Sequence, residues 1–242
     1  MKEWKRVLLV IPAYNEAENI EKIIDEIVEN YPQYDYVIIN DGSTDDTEKV
    51  CEKRGYHIIN LPINLGIGGA VQTGYKYALK YGYDIAVQID GDGQHDVACV
   101  KDVIRPLLRD EADVVIGSRF LKGEGFQSSV LRRTGIRFLS LLIRLCTGKK
   151  IKDVTSGFRA VNRAYISVYT RDYPYDYPEP EAIITAVMYG GRIQEIPVVM
   201  RERKNGTSSI SFRKSVYYMI KVTLAILVKR ISYGVRRSGR KS

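Results

Sequence analysis

The sequence predicts an α/β domain built on an open sheet, and three observations carry that prediction. Residues 6–11, 36–40 and 84–89 are short apolar runs that read as strands, and each gives way to a polar tip. Between the first two, Ile20, Ile23, Ile24 and Ile27 recur at helical spacing. With 242 residues, 45% of them hydrophobic, the chain can bury one sizeable core but is short for two domains.

Taken in order, the first strand closes on Pro12-Ala13-Tyr14-Asn15-Glu16 and leads into the isoleucine helix. The second ends in Asp41-Gly42-Ser43-Thr44-Asp45-Asp46, where Ser43 or Thr44 is a candidate cap for a following helix. Asp41 precedes the cap and sits at the strand tip, where a carboxylate can accept bonds from a base or ribose. Residues 56–60 read as another strand, followed by Gly66-Ile67-Gly68-Gly69-Ala70. That run fails the dinucleotide pattern because Val71 holds its last glycine position, so its glycines read as close helix packing beside the site.

The third strand ends in Asp90-Gly91-Asp92-Gly93-Gln94. Strand alternation leaves Asp90 and Asp92 on one side, and the glycines clear room for a bulky anion. Oxygen ligands gathered this way suit Mg²⁺ or Mn²⁺, which keep positions open for substrate phosphates. Alone, an Asp-x-Asp triplet is more often a turn. Together the three tips, at the strand ends where open α/β sheets bind ligands, describe a nucleotide site with a metal at its phosphate end. His95, next in sequence, reads as a solvated loop histidine.

Further on, residues 121–129 are glycine- and serine-rich and read as a lid. Residues 130–146 form an amphipathic helix with Arg133, Arg137 and Arg144 in a narrow arc, offering planar forks to a lipid phosphate. Residues 173–180, rich in Tyr and Pro, read as a rigid loop, and residues 192–200 as a strand. On a helical projection of residues 211–232, Lys214, Tyr218, Lys221, Ala225 and Lys229 share one face. Phe212, Val216, Met219, Ile220, Leu227 and Ile231 lie on the other. This is the shape of an in-plane interfacial helix or of one packed on the core.

Charge is unevenly placed. Residues 201–242 carry 12 Lys/Arg and one acid, Glu202, a net of +11, whereas residues 1–200 carry 25 bases and 28 acids. The terminal Arg236-Arg237-Ser238-Gly239-Arg240-Lys241 cluster favours an anionic membrane, where each basic residue contributes ~1 kcal/mol. No membrane span is evident, since the run 222–228 falls far short of the roughly 20 residues needed. No signal peptide is evident either, and Cys51, Cys99 and Cys146 form no Cys-x-x-Cys pair, which argues for reduced thiols on the cytoplasmic side. Two histidines, His57 and His95, argue against a histidine-based zinc site or a serine-histidine triad.

The tips, with Asn64-Leu65-Gly66, Gly117-Ser118-Arg119, Thr155-Ser156-Gly157-Phe158-Arg159 and Arg203 with Gly206 and Ser208, resemble the family 2 inverting glycosyltransferases of GT-A fold. Within them the likeness is to polyprenyl-phosphate sugar synthases such as dolichyl-phosphate mannose synthase, and it covers residues 5–210. It implies a Rossmann-like, mixed but mostly parallel sheet flanked by helices, with residues 1–210 as catalytic domain and 211–242 as a basic, amphipathic membrane-interface helix and tail. It also implies that Pro12, Ala13, Tyr14, Glu16, Asp41, Asp90 and Gly91 hold the nucleotide-sugar, and Asp90, Asp92 and Gln94 the metal, Mg²⁺ or Mn²⁺. Asp92, Arg119 and Arg203 would serve catalysis, and Ser156 and Arg203 the acceptor phosphate, joined by Arg133 and Arg137 on helix placement alone.

The expected reaction is metal-dependent, inverting transfer of a hexose from a UDP- or GDP-sugar to undecaprenyl or dolichyl phosphate. An ionised lipid phosphate needs no strong base. The alternative, transfer to a sugar hydroxyl in polysaccharide or cell-wall glycan synthesis, does need one, and Glu181 is its candidate. The expected location is peripheral, on the cytoplasmic face, with anchorage borrowed from a small membrane partner protein. A nucleic-acid-binding module would explain the tail but leave all three strand tips unused, so no nucleic acid partner is expected.

Overall fold

The computed structural model describes residues 5–122, 130–201 and 212–238. Its centre is a seven-stranded sheet in the order β3-β2-β1-β4-β6-β5-β7. The strands are β1 (Val7–Ala13), β2 (Asp35–Asn40), β3 (Ile58–Asn60), β4 (Ile85–Gln88), β5 (Val114–Ser118), β6 (Arg159–Asn162) and β7 (Ile193–Pro197). β1, β2, β3 and β4 run parallel, as do β5 and β7; β6 lies antiparallel between β4 and β5. The mixed, mostly parallel sheet expected from the sequence is present.

Helices cover both faces. α1 (Ile20–Asn30), α2 (Thr47–Arg54) and α4 (Val100–Leu108) lie on one side, α3 (Gly66–Lys80) and α6 (Arg163–Tyr169) on the other. β1 shows why: Leu9 and Ile11 join the cluster containing Ile20, Ile24, Ile27 and Val103, while Leu8 and Val10 join that containing Val71, Tyr75 and Ile166. A fully buried central strand feeds alternate side chains to two layers. A third cluster unites Ile116 of β5 with α5 (Val130–Thr147), α7 (Pro178–Met188) and α8 (Phe212–Ser238).

Two expectations change. Residues 178–180 open α7 rather than extend a loop, because proline in a first helical turn gives up an N–H that has no partner there anyway. The C-terminal helix packs on the core along one side and exposes apolar residues along the other. Val222 and Ile226 are fully buried against α5 and α7, while Ile220, Leu224, Val228 and Ile231 are exposed. Two of its lysines are paired: Lys221 with Asp176 at 2.5 Å and Lys229 with Asp172 at 2.9 Å, both from the loop after α6. Among the described residues the outward face therefore carries a strip of Ile220, Leu224, Leu227, Val228 and Ile231, with Arg230 exposed beside it.

Candidate active site

The C-terminal tips of β1, β2 and β4 surround a cavity of about 500 Å³ lined by Pro12, Ala13, Tyr14, Glu16, Asp41, Asp90, Gly91 and Asp92, with Asn64, Gly66, Ile67 and Ala70 closing the far side. Parallel pairing brings these tips together, since Ala13 lies opposite Asn40 and Val10 opposite Gln88. All seven residues expected to hold the nucleotide-sugar line this one space.

Side chains stitch the tips to one another. Asn15 adopts a left-handed backbone conformation (φ 56°), which an asparagine tolerates, and its Oδ1 accepts from the Thr44 N–H at 2.8 Å. The Asn15 N–H in turn donates to Ser43 Oγ at 3.0 Å. Ser43 and Thr44 thus tie two loops together, and the helix they were expected to cap begins instead beyond Asp45, whose Oδ1 accepts from the Thr47 N–H. Asp41 is almost fully buried, and its Oδ1 accepts from the Leu65 N–H at 2.7 Å. Burial raises its pKa, opposed by the backbone N–H groups of Leu65 and Gly66. Gly68 explains the glycine run: a Cβ there would lie 2.0 Å from the Pro174 carbonyl oxygen, and its N–H donates to Tyr175 O at 2.9 Å.

Asp90 and Asp92 put two carboxylates on the cavity wall, and the Asp90 side chain is 36% exposed. Asp90 is supported from beneath. Gln88 Nε2 donates to its Oδ1 at 3.2 Å, and its own N–H donates to His95 Nδ1 at 3.0 Å. His95 is buried and stacked on Phe158, not the solvated loop residue expected. Hard oxygen donors facing an open cavity fit Mg²⁺ or Mn²⁺ completed by phosphates and water, and no group of three His, Cys, Asp or Glu side chains able to hold a metal occurs among the described residues. Gln94 does not line the cavity; its N–H donates to Asp92 Oδ1 at 3.0 Å and its carbonyl accepts from Arg201 N–H.

Beyond Asp90 lies a charged cluster. Arg119 grips Asp153 through Nε and Nη2 at 2.7 and 2.6 Å and reaches Thr155 Oγ1 at 3.0 Å. Burial works against its charge, but the Asp153 carboxylate outweighs this and raises its pKa. Burial and then the neighbouring Arg119 lower that of Arg132. Arg132 of α5, next to the expected Arg133, joins this cluster through Arg119, Asp153 and Glu179. Arg203, Gly206, Ser208 and lid residues 123–129 lie outside the described residues, as do Arg240 and Lys241.

Two assignments are corrected. Ser156 is buried and its hydroxyl donates to Gly117 O at 2.6 Å, so it serves the backbone rather than an acceptor phosphate. Glu181 faces α8, its charged neighbours being Lys229, Asp176, Lys221 and Asp172. The acid on the site side of α7 is the half-buried Glu179, in the field of Arg159, Asp90 and Arg119, and its partial burial raises its pKa. Two residues along a helix rotate a side chain by about 200°, enough to exchange these faces.

The model of glycosyl transferase family 2 matches residues 8–170. An undecaprenyl-phosphate mannosyltransferase from Micrococcus luteus is 30% identical over 216 residues, 85% of this chain and 88% of that one. A UDP-N-acetylglucosamine–dolichyl-phosphate N-acetylglucosaminyltransferase from Methanococcus voltae is 32% identical over 217 residues, 80% and 85% of the two chains. In structure, glucosyl-3-phosphoglycerate synthase from Mycobacterium tuberculosis, crystallised with Mn²⁺, UDP-glucose and phosphoglyceric acid, superposes with a TM-score of 0.72 at 20% identity over 93% of this chain and 80% of that one, which speaks to the fold. With the family model spanning most of the sheet and the strand-tip cavity, the chain belongs to glycosyl transferase family 2 and is a glycosyltransferase of GT-A fold.

Proposed function

We propose that this glycosyltransferase moves a hexose from a nucleoside-diphosphate sugar to the phosphate of a polyprenyl phosphate, with inversion, while resting on the cytoplasmic face of a membrane. The observation that carries the reading is the nearness of a cationic pair to the acidic wall of the cavity: Asp90, lining it with Asp92, acts on Arg119, and Arg119 on Arg132. The names of the relatives from Micrococcus luteus and Methanococcus voltae support the same acceptor class.

Each residue then has a task. Tyr14 presents an exposed ring at the cavity rim for a base to lie against, and the second oxygen of Asp41 accepts from base or ribose. Asp90 and Asp92 hold Mg²⁺ or Mn²⁺, which when bound offsets charge on the departing diphosphate. Arg119 and Arg132 receive the acceptor phosphate, with Arg203 a candidate third. Such a phosphate has its second pKa near ~6 and arrives as a nucleophile, so no residue has to remove a proton from it. Attack from the face opposite the diphosphate converts an α-linked donor into a β-linked lipid product.

Membrane residence rests on the exposed apolar face of α8, since no helix is long and apolar enough to cross a bilayer among the described residues. Incubation of the protein with radiolabelled UDP- and GDP-hexoses, Mn²⁺ and undecaprenyl phosphate tests the proposal. It expects a metal-dependent, organic-extractable product of β configuration; an α-linked product would overturn it. Glu179 favours a second reading, transfer to a sugar hydroxyl, because a half-buried carboxyl whose pKa is raised by desolvation and by Asp90 suits a general base. There Glu179→Gln should cost ~10²–10⁴-fold, whereas a phosphate acceptor leaves much of the activity.

A further inference from the structure

α8 does more than cover the core. Tyr218 precedes Val222 and Ile226 at intervals of four, which places it on the buried stripe of the helix. Its ring meets that of Tyr177 edge to face, with centroids 4.6 Å apart and planes at 89°. Tyr177 is the residue from which α7 starts, two positions before Glu179. On the other side, Met219 Sδ lies 3.2 Å from the position a Cβ on Gly135 of α5 would take. α8 is thus seated between α5, which carries Arg132, and the start of α7, which carries Glu179.

The charged groups acting on the Tyr218 hydroxyl come from both elements and the sheet: Glu179, Arg132 and Arg159. Burial and Glu179 keep the phenol protonated well above neutral pH. A purely packing aromatic here would serve as well without a hydroxyl, since the edge-to-face contact uses only the ring. What the hydroxyl adds is a neutral donor near Arg132, which in turn lies near Arg119. We propose that Tyr218 is an acceptor-binding residue, its hydroxyl donating a hydrogen bond to the acceptor's phosphate beside Arg119 and Arg132. The inference rests on the polyprenyl-phosphate reading above. It makes the helix whose opposite face exposes Ile220, Leu224 and Val228 also the helix that recognises the lipid's headgroup.

Tyr218→Phe in the full chain removes the hydroxyl and keeps the ring contact. A hydrogen bond to a charged phosphate corresponds to about a ten- to hundredfold change in affinity, so KM for undecaprenyl phosphate should rise by that factor. The donor's Kd, measured by calorimetry with UDP and Mn²⁺, and sedimentation with anionic vesicles should not change. Tyr217→Phe, on the exposed side of the same helix, is the control and should match the parent in all three. An unchanged KM for undecaprenyl phosphate in Tyr218→Phe, or an equal weakening of UDP binding, overturns the inference alone. A parent protein that transfers nothing to undecaprenyl phosphate overturns both it and the reading on which it rests.

Discussion

Gly157→Ala tests the metal site through a residue that is not one of its ligands. Gly157 has no positive φ, so alanine is conformationally acceptable, and the lost backbone freedom of the unfolded chain favours the variant by about 0.4–1 kcal/mol. The new methyl, however, would lie 2.9 and 3.1 Å from the two Asp90 carboxylate oxygens and 3.1 Å from Gln88 Nε2. Reaching an ordinary contact of 3.4 Å requires the carboxylate to move by about 0.5 Å. Gln88 is buried and cannot follow freely, whereas metal–ligand distances tolerate only about 0.2 Å. Disturbing groups that orient a ligand typically costs about 10–100-fold in metal affinity. We therefore expect a folded protein of parental melting temperature whose apparent Mn²⁺ affinity, read by titrating UDP binding, falls by that factor. Parental Mn²⁺ affinity in Gly157→Ala would refute the assignment of Asp90 to the metal.

Other predictions follow from the same geometry. Asp92→Asn should fold, lose most turnover, and bind UDP with an affinity that no longer responds to Mn²⁺ in calorimetry. Leu224→Glu with Val228→Glu, both on the exposed face of α8, should abolish sedimentation with anionic vesicles while sparing UDP binding. Truncation before α8 would test less, because it also strips Val222 and Ile226 from the third core cluster. Glu179→Gln should alter stability with a definite sign. Its folded pKa is raised, so the stability gained by protonation is complete below the ordinary glutamate value and lost as pH rises through the folded one. The variant should melt above the parent at pH 8, with the gap closing towards pH 4; a lower melting temperature at pH 8 would contradict the burial argument.

The donor side of the site was legible because parallel strands bury both faces and end abruptly. Asp41 and Asp90 stand directly after apolar runs, and neighbouring parallel strands deliver such tips to one edge of the sheet. The acceptor side was harder to read, since it is built by helices whose facing changes by about 100° per residue. Arg132 and Arg133, or Glu179 and Glu181, differ by only one or two positions, yet such a step changes which side of the helix a group faces. The antiparallel β6 was hidden for another reason. It is only four residues long, and its first, Arg159, is a buried arginine held by the carbonyls of Ser156 and Val154, a residue that strand patterning marks as exposed. The pairing of Lys221 and Lys229 was hidden similarly, because their partners, Asp176 and Asp172, lie far away in sequence.

The central claim, that the acceptor brings its own negative charge to Arg119 and Arg132, is tested most directly by competition in one vesicle preparation. Undecaprenyl phosphate and the corresponding undecaprenol, at equal concentration, would compete for a radiolabelled nucleotide-sugar the protein has been found to use, with saturating Mn²⁺. The account predicts label on the phosphate lipid and none on the alcohol. Label on undecaprenol at a comparable rate would contradict it, because a hydroxyl requires the base that a phosphate does not.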